Sequence, residues 1–115
     1  MVKLLNETTG DIIAYDVRTA YSFFNRLCGL MFTKSFCLGD ALHIKPCRSI
    51  HTFFMNYPID VLYLDEQNVV IGMDEQIPPY KIGTFHKKAQ SVVELPAGSV
   101  KRLNIQLNHC LFFET

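Results

Sequence analysis

The sequence predicts one domain built mainly from β-strands, either a β-sandwich or a barrel. With 115 residues, the chain has the size of a single ordinary domain, so we treat residues 1–115 as one unit. Short apolar segments alternate with turn residues at the spacing typical of sandwiches and barrels. Only residues 19–30 show a clear helical pattern, and strands therefore do not alternate with helices. This disfavours a βαβ organisation.

The first predicted elements are an N-terminal hairpin and this helix. The apolar runs 2–5 and 12–17 flank a segment of turn residues, which is typical of two antiparallel strands. In the helix, Thr19 is the predicted N-cap, and apolar residues recur at helical spacing as far as Cys28. Gly29 suits the C-terminal end, because glycine readily adopts the left-handed conformation found there.

The remaining elements are strands, apart from one short helical turn. The clearest pair is a hairpin whose strands flank the turn residues 65–68. The double proline at 78–79 makes its surroundings a loop, because proline cannot donate to a strand ladder. In chain order, the predicted elements are strands at 41–45, 50–55, 59–64, 69–73 and 90–95, a helical turn near 100–104, and a strand at 110–114.

Composition and charge exclude several classes of protein. The hydrophobic fraction is 49%, with nine Phe and five Tyr, which excludes low-complexity disorder. Lys+Arg and Asp+Glu both number 11 and no basic stripe is present, so we expect no nucleic-acid binding. No run approaches the roughly 18 apolar residues of a membrane span. The first residues lack the apolar core of a signal peptide, and we therefore expect a cytoplasmic protein.

The sequence shows no familiar catalytic or cofactor motif. It contains no phosphate-binding P-loop, no dinucleotide-binding glycine pattern and no nucleophile elbow. The four cysteines are irregularly spaced and form no C-x-x-C pair. We interpret them as free thiols that pack as small hydrophobic residues, and we assign no metal and no cofactor.

The strongest candidate site lies in residues 49–60, where a histidine and an aspartate bracket an aromatic run. A buried ionisable group costs free energy unless it is paired, hydrogen-bonded or neutralised. If residues 50–55 form a strand, His51, Phe53 and Met55 share one face, which predicts a histidine at the mouth of an aromatic pocket. The alternatives are a core histidine with satisfied nitrogens, and an Asp60 carboxylate that only accepts backbone N–H bonds at its turn.

Glu94 is the second unusual residue, because it interrupts an apolar strand. Val92 and Glu94 share a strand face, which favours burial, and a buried glutamate needs His51, Arg26 or Arg48 nearby as a partner. If His51, Asp60 and Glu94 converge, they can bind a divalent metal or perform acid–base chemistry. Their convergence is a hypothesis that the structure addresses.

A set of motifs identifies a family resemblance that extends over about residues 14–112. The chain resembles the DUF192 family of small prokaryotic proteins of unknown function. This resemblance implies a mostly-β sandwich or jelly-roll-like barrel with a short helix at one end, and it implies no reaction, cofactor or partner. The polar positions typical of the family are Arg26, Ser49, His51, Asp60 and Glu94. The motifs are Arg26-x-x-Gly29-Leu30-Met31-Phe32, Ser49-Ile50-His51-Thr52-Phe53-Phe54-Met55, Pro58-Ile59-Asp60-Val61, Pro78-Pro79 and Val93-Glu94-Leu95-Pro96-Ala97-Gly98.

The function that these residues predict best is the binding of a small polar molecule or a sugar. One alternative is a hydrolase or lyase that uses His51 as a base with Asp60 or Glu94. The other is a structural or interaction module without a site. The sequence leaves both the enzyme question and the oligomeric state open. The candidate ligand-binding residues are Arg26, Ser49, His51, Phe53, Met55, Asp60, Tyr80 and Glu94.

Overall fold

The protein is described by a computed structural model that covers residues 1–30, 33 and 35–115. This part of the chain contains eight strands and two short helices. The helices are α1 (Phe23–Cys28) and α2 (Ser99–Arg102). The strands are β1 (Lys3–Asn6), β2 (Ile12–Ala14), β3 (Asp16–Ala20), β4 (Asp40–Ile44), β5 (Ile59–Leu64), β6 (Val70–Ile77), β7 (Ser91–Pro96) and β8 (Leu111–Glu114).

The strands form two sheets, which confirms the prediction of a mainly β sandwich. The smaller sheet has the order β2-β1-β8 and the larger one the order β3-β4-β7-β5-β6. Neither sheet closes into a barrel within the described residues. Neighbouring strands are antiparallel except β3 and β4, which are parallel and are joined in the chain through α1. This strand–helix–strand crossover, the one parallel pairing among the described strands, was not predicted from the sequence.

Hydrophobic residues pack against both faces of the five-stranded sheet. On one face, Leu62 and Val93 meet Leu4 of the small sheet. On the other face, the sheet is covered by loop residues such as Leu30 and Ile50 rather than by a second sheet. Strands β5 and β7 are buried along their whole length, because both of their faces are covered.

Helix α1 is shorter than predicted, and it begins at a different cap. The Ser22 side chain accepts a hydrogen bond from the Asn25 backbone N–H at 3.1 Å, which makes Ser22 the N-cap, whereas Thr19 lies in β3. Gly29 ends the helix as predicted, with φ of 49°. The residues used for the helix and motif predictions whose side chains lie outside the described part are Phe24, Leu27, Met31 and Phe32.

The predicted strand at 50–55 is wrong. This segment makes one isolated antiparallel bridge, between His51 and Ile82, and then turns. Phe54 has φ of 63°, in the left-handed region that a strand excludes. Met55 is therefore buried while Phe53 is exposed, and these side chains do not form a strand face with His51.

The other strand predictions are confirmed to within a few residues, with one division. The run 12–17 splits into β2 and β3, which belong to different sheets. The predicted hairpin is β5–β6, and β6 continues as far as Ile77. No helix in the described part of the chain is long and apolar enough to cross a membrane.

Candidate functional site

A cavity of about 350 Å³ lies on the loop-covered face of the five-stranded sheet. Its walls come from α1 and the turn after it, from β4 and β7, and from the loops that follow β4 and β6. Most of the predicted site residues line it: Arg26, Ser49, His51, Phe53, Met55 and Glu94. The rest of the lining is mainly apolar and consists of Cys28, Gly29, Leu30, Ile44, Cys47, Ile50 and Ile82.

Glu94 is the fully buried acid of this cavity. It lies on β7 opposite Leu42 and Val61, so its side chain projects to the loop-covered face together with theirs. Its Oε1 atom is buried and has no hydrogen-bond partner within the described structure. Burial raises the pKa of Glu94 to about 8. The side chain is therefore largely a neutral carboxylic acid at pH 7.

Gly29 brings the end of α1 over this carboxyl group. A Cβ atom at this position would lie 3.9 Å from Glu94 Oε1 and 4.0 Å from Leu42 Cδ2. The backbone has φ of 49° and ψ of −122°, a conformation that residues with a side chain rarely adopt. A side chain would thus find ordinary van der Waals contacts here, and the glycine of the Arg26-x-x-Gly29 motif is favoured by the backbone conformation that ends the helix beside the buried acid.

Arg26 supplies a positive charge to the cavity. Its Nη1 atom donates to the Tyr21 carbonyl at 3.0 Å, and it does not pair with Glu94 Oε1. The pKa of the Cys47 thiol is raised, first by burial and also by the nearby Glu94, while the charge of Arg26 partly offsets this effect. Arg26 and Glu94 therefore act on the same thiol from separate positions in the cavity wall.

His51 and Ser49 belong to the loop that frames the cavity. His51 Nδ1 accepts the Phe53 N–H at 3.1 Å, so the neutral ring carries its proton on Nε2. The His51 ring also stacks on the Phe53 ring at a centroid distance of 5.3 Å. Ser49 Oγ donates to the Gly83 carbonyl at 3.1 Å, and Cys47 Sγ donates to the Ser49 carbonyl at 2.8 Å.

Asp60 lies on the opposite face of the sheet and does not meet His51 or Glu94. In the β5–β7 register, Asp60 pairs with Leu95, whereas Val61 pairs with Glu94. Asp60 Oδ1 accepts the Gln76 N–H at 2.8 Å, and Oδ2 accepts the Val100 N–H at 2.9 Å. The carboxyl group thus connects the end of β6 to the first turn of α2. The structure does not bring the three predicted polar anchors together.

Tyr80 also lies outside the cavity lining. Its side chain is exposed, and its ring centroid lies 6.5 Å from that of Phe53 and 6.0 Å from that of Phe54. Tyr80 has φ of 65°, so its backbone is left-handed like that of Phe54. The loop that contains Tyr80 therefore contributes to an exposed aromatic cluster beside the cavity, and Phe53 belongs to both the cluster and the cavity lining.

Cys47 as a lining residue and His43 as a buried ionisable residue were not predicted from the sequence. Cys47 precedes His51 by four residues, and this short separation is the signal that could have identified it. His43 lies in β4 and faces the small sheet, where its ring stacks on Phe113 at 4.1 Å and its Nδ1 bonds the Tyr21 hydroxyl at 2.7 Å. Within the described residues, no group of three or more His, Cys, Asp or Glu side chains is placed to hold a metal ion.

The fold and the site define a small β-sandwich domain with an apolar cavity that holds one buried acid and one cation. The DUF192 family model, described as an uncharacterized family, matches residues 4–113. The chain belongs to this family, as the motifs predicted. The family has no established function.

Archaeal relatives support this assignment over most of the chain. The chain is 31% identical over 110 residues to a UPF0127 protein of Thermococcus sibiricus, covering 90% of this chain and 70% of the relative. It is also 31% identical over 109 residues to a UPF0127 protein of Pyrococcus furiosus, covering 90% of this chain and 91% of the relative. These names record an uncharacterised family of prokaryotic proteins.

Two crystal structures share the fold. One is a protein of Sinorhizobium meliloti that is provisionally named a transcription regulator, with a TM-score of 0.84 and 21% identity over 97% of this chain and 91% of that protein. The other is a protein of unknown function from Novosphingobium aromaticivorans, with a TM-score of 0.83 and 15% identity over 96% of this chain and 82% of that protein. At these identities the likeness extends to the fold alone.

Proposed function

We propose that this domain binds a small molecule in the cavity, with Glu94 as the buried polar anchor. The observation that carries this proposal is the Oε1 atom of Glu94, which lies inside the cavity and has no hydrogen-bond partner in the part of the chain that the structure describes. A buried polar atom without a partner costs about 1–3 kcal/mol. A ligand that forms a hydrogen bond with Glu94 recovers this free energy, and the hydrogen bond therefore favours binding.

The size and the walls of the cavity narrow the kind of molecule. A volume of about 350 Å³ falls within the range of small-molecule sites. The walls are formed largely by apolar side chains such as Leu30, Ile44 and Ile50, which suit a compact apolar body. A sugar carries hydroxyl groups on every side, and most of them would lack partners here. The proposal therefore favours a molecule with few polar groups over a sugar.

An enzyme that uses Glu94 as a general acid is the second candidate. A general acid must hold its proton near neutral pH, and burial gives Glu94 this property. Asp60 cannot act as its partner, because it lies on the other face of the sheet. Glu94 is the one carboxyl group that lines the cavity in the described part of the chain. Acid catalysis with His51 is thus better supported than a mechanism with two carboxylates.

A melting-shift screen tests the binding proposal. We would measure the Tm with panels of small organic acids, alcohols, amines and sugars, for the native protein and for Glu94→Gln. A ligand of the cavity raises the Tm of the native protein and raises that of Glu94→Gln less. Glu114→Gln is the matched control, because Glu114 is exposed on β8 and should respond like the native protein. If no compound raises the Tm, the proposal is wrong.

Two further predictions, on nucleic-acid binding and on location in the cell, come from the sequence and are independent of this proposal. We expect no binding to double-stranded DNA or RNA, because positive and negative charges balance. A mobility-shift measurement at low salt tests this, and a retarded complex would contradict it. We also expect a cytoplasmic location, which fractionation of native cells tests.

A further inference from the structure

The polar groups that line the cavity differ in whether they already form hydrogen bonds within the protein. The Cys47 thiol donates to the Ser49 carbonyl, and the Ser49 hydroxyl donates to the Gly83 carbonyl. Both hydrogens are therefore committed to the protein backbone. In the part of the lining that the structure describes, Arg26 and Glu94 keep hydrogen-bonding capacity for recognising a ligand by charge or by a strong hydrogen bond.

Both of these groups act as hydrogen-bond donors. A guanidinium has five N–H donors and no acceptor, and the Tyr21 carbonyl accepts from Nη1 alone. A buried carboxyl group that keeps its proton is also a donor, through its O–H. Donors recognise acceptors, and among small biological molecules the strongest acceptors are anionic oxygens.

The charge of the cavity points in the same direction. Arg26 is the one Lys or Arg side chain in the lining of the cavity that the structure describes, and Glu94 Oε1 does not pair with it. Glu94 is fully buried, and its negative form is disfavoured there. The cavity therefore carries an uncompensated positive charge, which attracts an anion and repels a cation.

We infer that the ligand is a small organic monoanion with an apolar body, whose carboxylate or equivalent acidic group binds Arg26 while its body fills the cavity. This inference rests on the proposed binding function and adds the class of ligand. Arginine binds carboxylates through two parallel hydrogen bonds, which also fix their orientation. Glu94 then donates to an oxygen of the bound molecule.

An amine is the opposing hypothesis, because a buried carboxylate often binds a cation. An amine would place a second positive charge in a cavity that already contains Arg26. It would also require Glu94 to ionise in an apolar environment. The charge of the ligand therefore distinguishes the two hypotheses directly.

Three probes of similar size and shape, but of different charge, test the inference. We would titrate the full chain at pH 7 with benzoate, benzamide and benzylamine and measure binding by calorimetry. We expect benzoate to bind at least tenfold more tightly than either of the others. Short-chain fatty acids and 2-oxo acids form a second panel, which covers anions whose bodies differ from a benzene ring.

Two variants test the role of Arg26. Arg26→Gln should weaken benzoate binding at least tenfold, and Arg26→Lys should restore part of it because it restores the charge. Arg102→Gln is the matched control, because it makes the same substitution on the exposed side of α2 and should bind like the native protein. Circular dichroism verifies that each variant is folded before binding is compared.

The outcomes separate the inference from the function on which it rests. Preferential binding of benzylamine, or equal binding of benzamide and benzoate, overturns the inference and leaves the binding function intact. Binding of anions that Arg26→Gln does not weaken in a folded variant also overturns it. If no anion binds while a neutral compound or a sugar does, the ligand class is wrong. If nothing in any panel binds, the proposed function itself fails.

Discussion

Asp60 and Glu94 are both buried on adjacent strands of one sheet, yet their surroundings are opposite. Asp60 faces the space between the two sheets, and each of its oxygens accepts a backbone N–H. Glu94 faces the loop-covered side, where Oε1 has no partner among the described residues and burial raises the pKa to about 8. Buried polar groups in folded proteins are normally satisfied, so the exception calls for an explanation. The comparison assigns Asp60 to the structure of the domain and singles out Glu94 as the candidate functional group.

Replacing the satisfied carboxyl group should have the largest effect. In Asp60→Asn, the amide nitrogen has no acceptor where the carboxyl group bonded a backbone N–H, and one buried N–H loses its partner. We expect the free energy of unfolding to fall by about 3–4 kcal/mol. Urea denaturation at pH 7 measures this loss. Asp11→Asn is the matched control on an exposed residue and should change the free energy by less than about 0.5 kcal/mol. If the free energy of unfolding of Asp60→Asn falls by less than about 1 kcal/mol, the Asp60 carboxyl group does not have the structural role assigned to it.

The face that contains Asp60 also holds a buried histidine, which should dominate the response to acid. Burial, reinforced by Lys45, lowers the pKa of His43 to about 4, and its Nε2 atom has no partner within the described structure. Because the folded pKa lies below the unfolded value, stability is lost as the pH falls from about 6.5 to 4, by about 3 kcal/mol at most. Unfolding by urea in this pH range measures the loss. His43→Gln should remove this contribution, and an unchanged slope would exclude His43 as its source.

Glu94, on the other face, should determine how the free energy of unfolding changes at alkaline pH. The folded pKa of Glu94 is raised, so its contribution to stability is complete below about pH 4.5 and is lost as the pH rises through 8. Between pH 6.5 and 8 the free energy of unfolding should fall by about 2 kcal/mol. The nearby thiol of Cys47 and hydroxyl of Tyr63 have raised pKa values, so both stay neutral in this range.

A single substitution tests the alkaline effect. Glu94→Gln removes the charge and keeps the shape, and the stability of this variant should be nearly constant from pH 6.5 to 8. Glu75→Gln, on an exposed residue of β6, should leave the native slope unchanged. A Glu94→Gln protein that loses stability as steeply as the native one would show that another group causes the effect.

The apolar runs around Asp60 and Glu94 favour burial of both carboxyl groups, but they do not indicate which face of the sheet each one occupies. The continuous apolar patterns around Asp60 and Glu94 indicated strands covered on both sides, and β5 and β7 are covered in this way. Their relative faces depend on the register between two strands that are far apart in the chain. A shift of one residue in that register moves every side chain to the other face.

The strand prediction for the aromatic run at 50–55 was wrong for a different reason. Its residue types favour strands, but strand propensity acts only where a neighbouring strand is available for pairing. The structure gives this run one isolated bridge and a left-handed residue, Phe54. The run therefore folds as a loop, and this loop places His51 and Met55 against the cavity. Most of the predicted site residues therefore line one cavity, although a loop carries them and not the predicted strand, and their role in binding stays a prediction.

The smallest expected effect is a change of ligand affinity with pH, which depends on both the buried acid and the proposed anionic ligand. When Glu94 ionises, its negative charge lies in the same cavity as the bound anion, and binding must weaken. We expect the Kd of benzoate to rise at least threefold between pH 7 and 9 in the native protein, as measured by calorimetry. In Glu94→Gln the Kd should stay constant over this range, because glutamine does not titrate. Benzoate itself is fully ionised at both pH values, so the change reports on the protein. A Kd that rises equally in both proteins would place the titrating group elsewhere, and a Kd that falls with pH would favour a ligand that prefers the ionised acid.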